Sequence, residues 1–326
     1  MKSKTHKTTS SVVNASAATA AGVAELSVVI VTRNRAKILS RCLESLKSQT
    51  RTPKELIVVN NASTDQTTQV VMTFATQVSW PVRLVVETKI GYPLVYNRGL
   101  NEAKTDWVIF LDDDCVADRN WLAAYGREID KIHPETSQIV ALVGQSETTP
   151  PATVWALAVL AADQFWKFSA LKANHEVEDL ETLDNKNLAY FKPFLIQNQL
   201  SFNETTMSEP GGGAAEDADL GMQIQQAGGR AKFLPQAKIW HQDPNNCGWY
   251  WRRWWNSAVA VGSYRRRWQI KRQEMGLITR RPKLRFHQFW PKFCYQHQLT
   301  GGKAWLVWLI VQISFGLIKL KTNLRF

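Results

Sequence analysis

Between residues 26 and 111 the chain alternates short apolar runs with polar segments of helical spacing. Leu26 to Val31 (LSVVIV), Leu56 to Val59 (LIVV), Val82 to Val86 and Trp107 to Leu111 are rich in β-branched and aromatic residues and read as strands. Residues 36–48 place Ile38, Leu39, Cys42, Leu43 and Leu46 at helical intervals, and 66–77 and Tyr92 to Lys104 continue the pattern. Unbroken apolar strands separated by helices predict an α/β fold, a mostly parallel sheet with helices on both faces. Further on, Trp121 to Ile132 and Ala215 to Gln226 are expected helices, Ile139 to Val143 and Ala237 to Trp240 expected strands, and 172–186 a polar loop. Residues 152–171 are apolar almost all round a helix, so that helix is expected to be buried or to face lipid.

Where the fourth strand should end, three carboxylates follow at once: Asp112, Asp113 and Asp114. Ligands of open α/β sheets bind outside the carboxyl ends of the strands. Adjacent carboxylates repel one another unless a cation sits among them, and hard oxygen ligands suit Mg²⁺ or Mn²⁺, which join carboxylates to substrate phosphates. The segment therefore points to a metal that holds a diphosphate. The fingerprints G-x-G-x-x-G and P-loop are absent, so hydride transfer on a dinucleotide and P-loop hydrolysis are not supported. Glu216 and Asp217 open the helix over 215–226, where the helix dipole favours negative charge.

Charge changes the picture for the C-terminal part. The chain has 326 residues, 44% of them hydrophobic, and a net charge of +12. From Asn245 onward there are 16 Lys/Arg against one acid, a local +15 that leaves −3 for the rest. Residues 249–272 could set Trp251, Trp254, Trp255, Ala258, Val261 and Trp268 along one helical face with arginines on the other. Ala304 to Ile318 carries no charge, yet 15 helical residues span roughly 22 Å, short of a hydrocarbon core of about 30 Å. The expectation is a basic helical extension, 246–326, lying on an anionic membrane surface rather than spanning it, or packing its aromatic stripe on the body. Nucleic acid is not expected as its partner, because an uncharged Leu/Val/Ile segment gains nothing from it. Residues 1–25 are expected to be a disordered tail without a secretory signal. Four cysteines, none in a C-x-x-C pair, fit a reducing, cytoplasmic compartment.

Taken in order, SVVIVTRNR (27–35), IVVNNASTD (57–65), GYPLVYNRGL (91–100), VIFLDDD (108–114), NLAYFK (187–192), LSFNE (200–204), AAEDADLGMQIQQAG (214–228) and a lone His241 resemble the family 2 glycosyltransferases. The resemblance covers residues 26–245 and implies the GT-A nucleotide-diphospho-sugar fold. It implies a metal (Mn²⁺ or Mg²⁺) at Asp112, Asp114 and His241, and Asp217 as general base of an inverting transfer. It implies substrate contacts at Thr32, Asn34, Asn60, Asn61, Asp65, Asn97, Asp112, Asp113 and Glu216. The family commonly has an aspartate where Asn60 stands, and Asn brings hydrogen bonds without charge. The implied partners are a nucleotide-sugar donor and a glycan or lipid-linked acceptor, in cell-surface polysaccharide synthesis at the inner face of a membrane. Two other readings stay open from sequence: a non-catalytic GT-A-like protein that docks on membranes, and a nucleic-acid-binding protein with a basic aromatic arm.

Overall fold

The computed structural model describes residues 24–322 apart from 134–135, 151, 209–214, 244 and 276–285. The expected N-terminal tail and the glycines at 211–213 fall outside the described residues. The N-terminal half is β1 (Leu26–Thr32), α1 (Ala36–Lys47), β2 (Glu55–Asn61), α2 (Thr67–Ala75), β3 (Val82–Glu87), α3 (Tyr92–Glu102) and β4 (Trp107–Leu111). These four strands pair in parallel in the order β3-β2-β1-β4. Successive residues point to opposite faces of a strand. Val28, Ile30, Leu56, Val58 and Ile109 thus enter one core layer with α1 and α2, and Val29, Val31, Ile57, Val59 and Val108 enter the other with α3. Both faces are covered, which is why the strands read as unbroken apolar runs. Gly99 lets α3 come close: a Cβ there would lie 2.4 Å from the Val29 side chain.

The second half is mixed. It comprises β5 (Cys115–Ala117), α4 (Trp121–Ile129), β6 (Ile139–Thr148), α5 (Val154–Ser169), β7 (Glu176–Val177), β8 (Asn187–Phe191), α6 (Lys192–Gln197), α7 (Glu216–Gln226) and β9 (Arg230–His241). β8 runs antiparallel to β4 and β6, β9 parallel to β6, and β5 and β7 antiparallel to β9. The parallel order expected from the apolar runs therefore holds as far as β4 and gives way to alternating directions beyond it. The segment expected as loop over 172–186 contains β7 and one short 3₁₀ turn, Leu180–Thr182.

Asn187 locks β8 to α4, β6 and β9. Its Oδ1 accepts from Trp121 Nε1 (2.8 Å) and Tyr125 Oη (2.9 Å), and its Nδ2 donates to the carbonyls of Gln145 (3.0 Å) and Ala237 (2.8 Å). A Cβ at Gly144 would sit 2.1 Å from that Nδ2, so only glycine admits the amide there.

The C-terminal helices α8 (Cys247–Glu274), α9 (Phe286–Gln296) and α10 (Gly301–Thr322) fold back on α5. Leu157, Leu160 and Phe165 of α5 are buried against Tyr250, Phe289, Phe293, Val307 and Val311, and Tyr250 Oη meets Ser314 Oγ at 2.7 Å. α5 is thus buried by protein. Trp251 and Trp254 pack in the same cluster, and Trp268 donates to Asp219 of α7 (2.7 Å). Most of the expected aromatic stripe therefore faces the body, while Trp255 remains 61% exposed. The side chain of Val261 lies outside the described ones. Among the described residues no helix is long and apolar enough to cross a membrane.

Asn187→Ala would remove the side-chain partner of Trp121 Nε1 and of the Gln145 and Ala237 carbonyls, while Tyr125 Oη keeps the Asn187 carbonyl (3.1 Å). A loss of about 3–5 kcal/mol is expected, seen as a melting temperature lower by roughly 5–15 °C. A shift below about 2 °C would show that water or rearrangement satisfies those groups instead.

Candidate active site

Strand β4 ends at Leu111 and delivers Asp112, Asp113 and Asp114 into a turn that continues as β5. β5 is zipped to the end of β9, with Cys115 opposite His241, and Gln242 N donates to the Asp114 carbonyl (3.0 Å). That register brings a histidine from 127 positions along the chain to the acid cluster: His241 Nε2 lies 3.2 Å from Asp114 Oδ1. On its other side, His241 Nδ1 lies 2.8 Å from Asp243 Oδ1. Burial would lower the pKa of this imidazole, but the carboxylates of Asp243 and Asp114 outweigh it and raise it to about 10.

Each aspartate has a different environment. Asp113 accepts from Thr32 Oγ1 at the end of β1 (2.6 Å) and from Arg35 Nη1 (2.9 Å). Burial is the largest influence on it and raises its pKa. Arg35 Nη1 also lies 2.9 Å from Asp114 Oδ2, so one guanidinium clamps two of the three carboxylates. Burial opposes the ionisation of Asp114, yet His241 and Arg35 together hold its carboxyl well below the usual range. Asp112 is partly buried without such an ion pair, accepts from Tyr96 Oη (3.4 Å), and is pushed up to about 7 by desolvation and then by Asp114 and Asp184.

Ligand atoms of Asp114, Cys115 and His241 lie within 4.8 Å of one another. Burial keeps the Cys115 thiol protonated, and a neutral thiol is a poor ligand for a hard cation. Asp114 Oδ1 is buried and has no hydrogen-bond partner of good geometry among the described residues. A carboxylate oxygen without a hydrogen bond beside an imidazole nitrogen fits a divalent cation. The mixed oxygen and nitrogen set fits Mn²⁺ better than Mg²⁺. Asp112, expected as a ligand from the sequence, lies outside that group of atoms and bonds Tyr96.

Glu216 and Asp217 occupy the first turn of α7. The residue before them, Ala215, has φ +115°, a strained conformation for a side chain with a Cβ. Glu216 accepts from Ala215 N (2.9 Å) and Asp217 Oδ1 from Ala218 N (2.8 Å). Desolvation, then Asp184, pushes Asp217 up to about 7, and burial together with Asp217 raises Glu216. Tyr96 connects the two acid groups: it bonds Asp112, and burial and then Asp112, Glu216 and Asp217 raise its phenol. Tyr92 stacks on it with ring centroids 6.4 Å apart.

The remaining expected contacts hold loops. Asn34 Oδ1 accepts from Thr64 N (2.7 Å), and Asn60 Oδ1 from Ser63 N (2.9 Å). Asn61 bonds the carbonyls of Glu87 and Lys89 and the amide of Gly91. Asp65 bridges Thr67 to the amide of Ala36 at the start of α1 (2.9 Å). Asn97 pins the 202–204 loop through Phe202 and Glu204. Arg35, Tyr96 and Asp243 escaped the sequence reading. Only Asp243 carried a signal: two residues after His241 on an extended chain, it points the same way.

Residues 27–172 match the family described as Glycosyl transferase family 2. Among curated relatives, the uncharacterised glycosyltransferase YwdF of Bacillus subtilis is 31% identical over 133 residues, 40% of this chain and 48% of that protein. The chain thus spans about half the length of that relative. Among solved structures, S. aureus TarS in complex with UDP superposes with a TM-score of 0.51 at 18% identity, over 85% of this chain and 72% of that one. The mannosyltransferase PcManGT of Pyrobaculum calidifontis, in complex with GDP-Man and Mn²⁺, superposes with a TM-score of 0.54 at 18% identity, over 91% and 75%. At such identity the superpositions establish the fold. By sequence over residues 27–172 the protein is similar to glycosyltransferase family 2, and the architecture around them is the GT-A fold.

Proposed function

We propose that the protein is an inverting, metal-dependent glycosyltransferase that moves a sugar from a nucleoside diphosphate to an acceptor hydroxyl. The observation that carries this reading is a division of labour among buried carboxylates. Asp114 is held ionised with a buried oxygen whose neighbour is His241, 3.2 Å away, while Asp217 is tuned to about 7. Asp114 and His241 would hold the cation. When bound, it supplies Lewis-acid stabilisation of the leaving diphosphate. Asp113, held by Thr32 and Arg35, and Asp112, held by Tyr96, would contact the donor's ribose and sugar. Arg35, half-exposed, adds positive charge where the diphosphate leaves.

Asp217 takes the acceptor's proton as the new oxygen–carbon bond forms and the carbon–phosphate-oxygen bond breaks on the opposite face. One displacement inverts the anomeric centre. A general base works best with a pKa near the working pH, and Asp217 meets that condition. The neighbouring structures that hold UDP, and GDP-Man with Mn²⁺, support a nucleotide-sugar donor and a metal.

The acceptor is proposed to be a glycan or lipid-linked hydroxyl presented at the cytoplasmic face of a membrane, as in cell-surface polysaccharide synthesis. Support comes from α10, which is apolar on two sides. Val307, Ile310 and Val311 are buried against α5, while Trp305 (62% exposed), Leu306, Ile313 and Leu317 form a second apolar face toward solvent. Contiguous exposed apolar surface marks an interaction site. The basic charge of the extension selects anionic lipid as its occupant.

Asp217→Asn should lower kcat by about 10²–10⁴-fold with little change in donor affinity. Near-wild-type turnover would assign the base elsewhere. In the wild type, kcat/KM should fall as pH drops below about 7, because the base becomes protonated there. A profile flat down to pH 5 would contradict the assignment.

The paired change Trp305→Glu and Ile313→Glu should abolish flotation with anionic liposomes at an unchanged melting temperature. Part of the wild-type binding should survive high salt, since apolar insertion is not screened. Binding that salt removes entirely and the glutamates leave intact would overturn the lipid contact.

A further inference from the structure

His241 is backed by a carboxylate that none of the roles above uses. Asp243 sits two positions on, where an extended chain turns its side chain to the same side. Both side chains are buried, and Asp243 Oδ1 lies 2.8 Å from His241 Nδ1. The backbone around the histidine is already fixed. Its carbonyl accepts from Thr149 N (2.9 Å), its strand partner is Cys115, and Gln242 N reaches the Asp114 carbonyl (3.0 Å). What stays free is rotation of the ring about χ2, which would exchange a nitrogen edge for a carbon edge.

We propose that Asp243 is a positioning residue for the cation site: its carboxylate accepts the Nδ1–H of His241 and so aims Nε2 at Asp114 Oδ1. The inference rests on the metal reading above and deepens it. Nδ1–H bound to a carboxylate leaves the Nε2 lone pair as the ligand, and with 3.2 Å between Nε2 and Asp114 Oδ1 the two donors could share one cation. Asp114 Oδ1, buried without a hydrogen bond of good geometry, would be the second ligand atom of that cation. Without Asp243 the site keeps both ligands and loses the orientation of one.

The test is Mn²⁺ alone, titrated into the full chain and followed by the electron paramagnetic resonance of the free ion. Melting temperatures are recorded alongside. Asp243→Ala should weaken Mn²⁺ binding by about 10–100-fold, the range for loss of a carboxylate behind a ligating histidine. Asp243→Asn, whose amide oxygen can accept the same N–H without the charge, should fall between wild type and alanine. Asp114→Ala and His241→Ala should abolish binding. Wild-type Mn²⁺ affinity in Asp243→Ala, with binding lost in the two ligand variants, overturns the positioning role and leaves the metal reading standing. A lower melting temperature with unchanged affinity does the same, since it makes Asp243 a structural ion pair. Should the alanine variant not fold, the asparagine variant decides, and unchanged affinity there counts against the proposal. Absence of Mn²⁺ binding in the wild type, or its persistence in both ligand variants, removes the metal reading and the positioning role together.

Discussion

The site is governed by the cost of burying many negative charges close together. Asp112, Asp113, Asp114, Asp184, Glu216, Asp217 and Asp243 converge around the ends of β4 and β9 and the start of α7. A buried carboxylate without a cation gives up its charge, and one with a cation keeps it. Nearby cations decide which is which, and Arg253 adds positive charge beside Asp163, Asp243, Asp184 and Asp114. Arg35 serves Asp113 and Asp114, and His241 serves Asp114 and Asp243. Lys186 serves Asp184 (2.6 Å) and, from α5, Asp163 (2.8 Å). Asp112, Glu216 and Asp217 are left without one, and their pKa values rise. Carboxylates driven apart in this way take different chemical roles. The paired ones suit a metal, and the unpaired ones suit proton transfer.

The mixed topology is what brings the two groups together. A purely parallel sheet would carry β4 to its end and stop at the aspartates. Here the chain turns directly into β5, which borrows the last residues of β9 as its partner. His241 therefore arrives at the acid cluster by backbone pairing, which holds position more firmly than a loop, and Asp243 follows two residues on. β8, antiparallel to β4, places Asp184 and Lys186 just before its first residue, behind both Asp112 and Asp217. Asn187 then anchors that strand to β6, β9 and α4.

Much of this is visible in the sequence where the signal is local. β1, β2 and β4 are unbroken apolar runs because helices cover both faces, and the three aspartates stand where such a run ends. β9 was legible only over its last residues, since Lys232, Pro235 and Gln236 break the apolar pattern of a strand paired on both sides. α9 carries Pro291 inside it, which argues against a helix in any local reading. The Arg35 clamp joins residues 78 and 79 positions apart, and Tyr96 meets Asp112 through the packing of α3 on the sheet. No spacing rule reports such contacts. The tryptophans of α8 show the same limit: one amphipathic pattern serves for packing on protein or on lipid, and the fold directs most of it inward and leaves the open apolar face to α10.

The central claim is that a cation joins these carboxylates to a nucleoside diphosphate. Calorimetric titration of the wild-type chain with UDP-, GDP- and dTDP-sugars, with and without Mn²⁺, tests it directly. At least one donor should bind in the micromolar range only when Mn²⁺ is present. Donor binding of equal strength in the presence of chelator, or no binding by any of the panel, would contradict it.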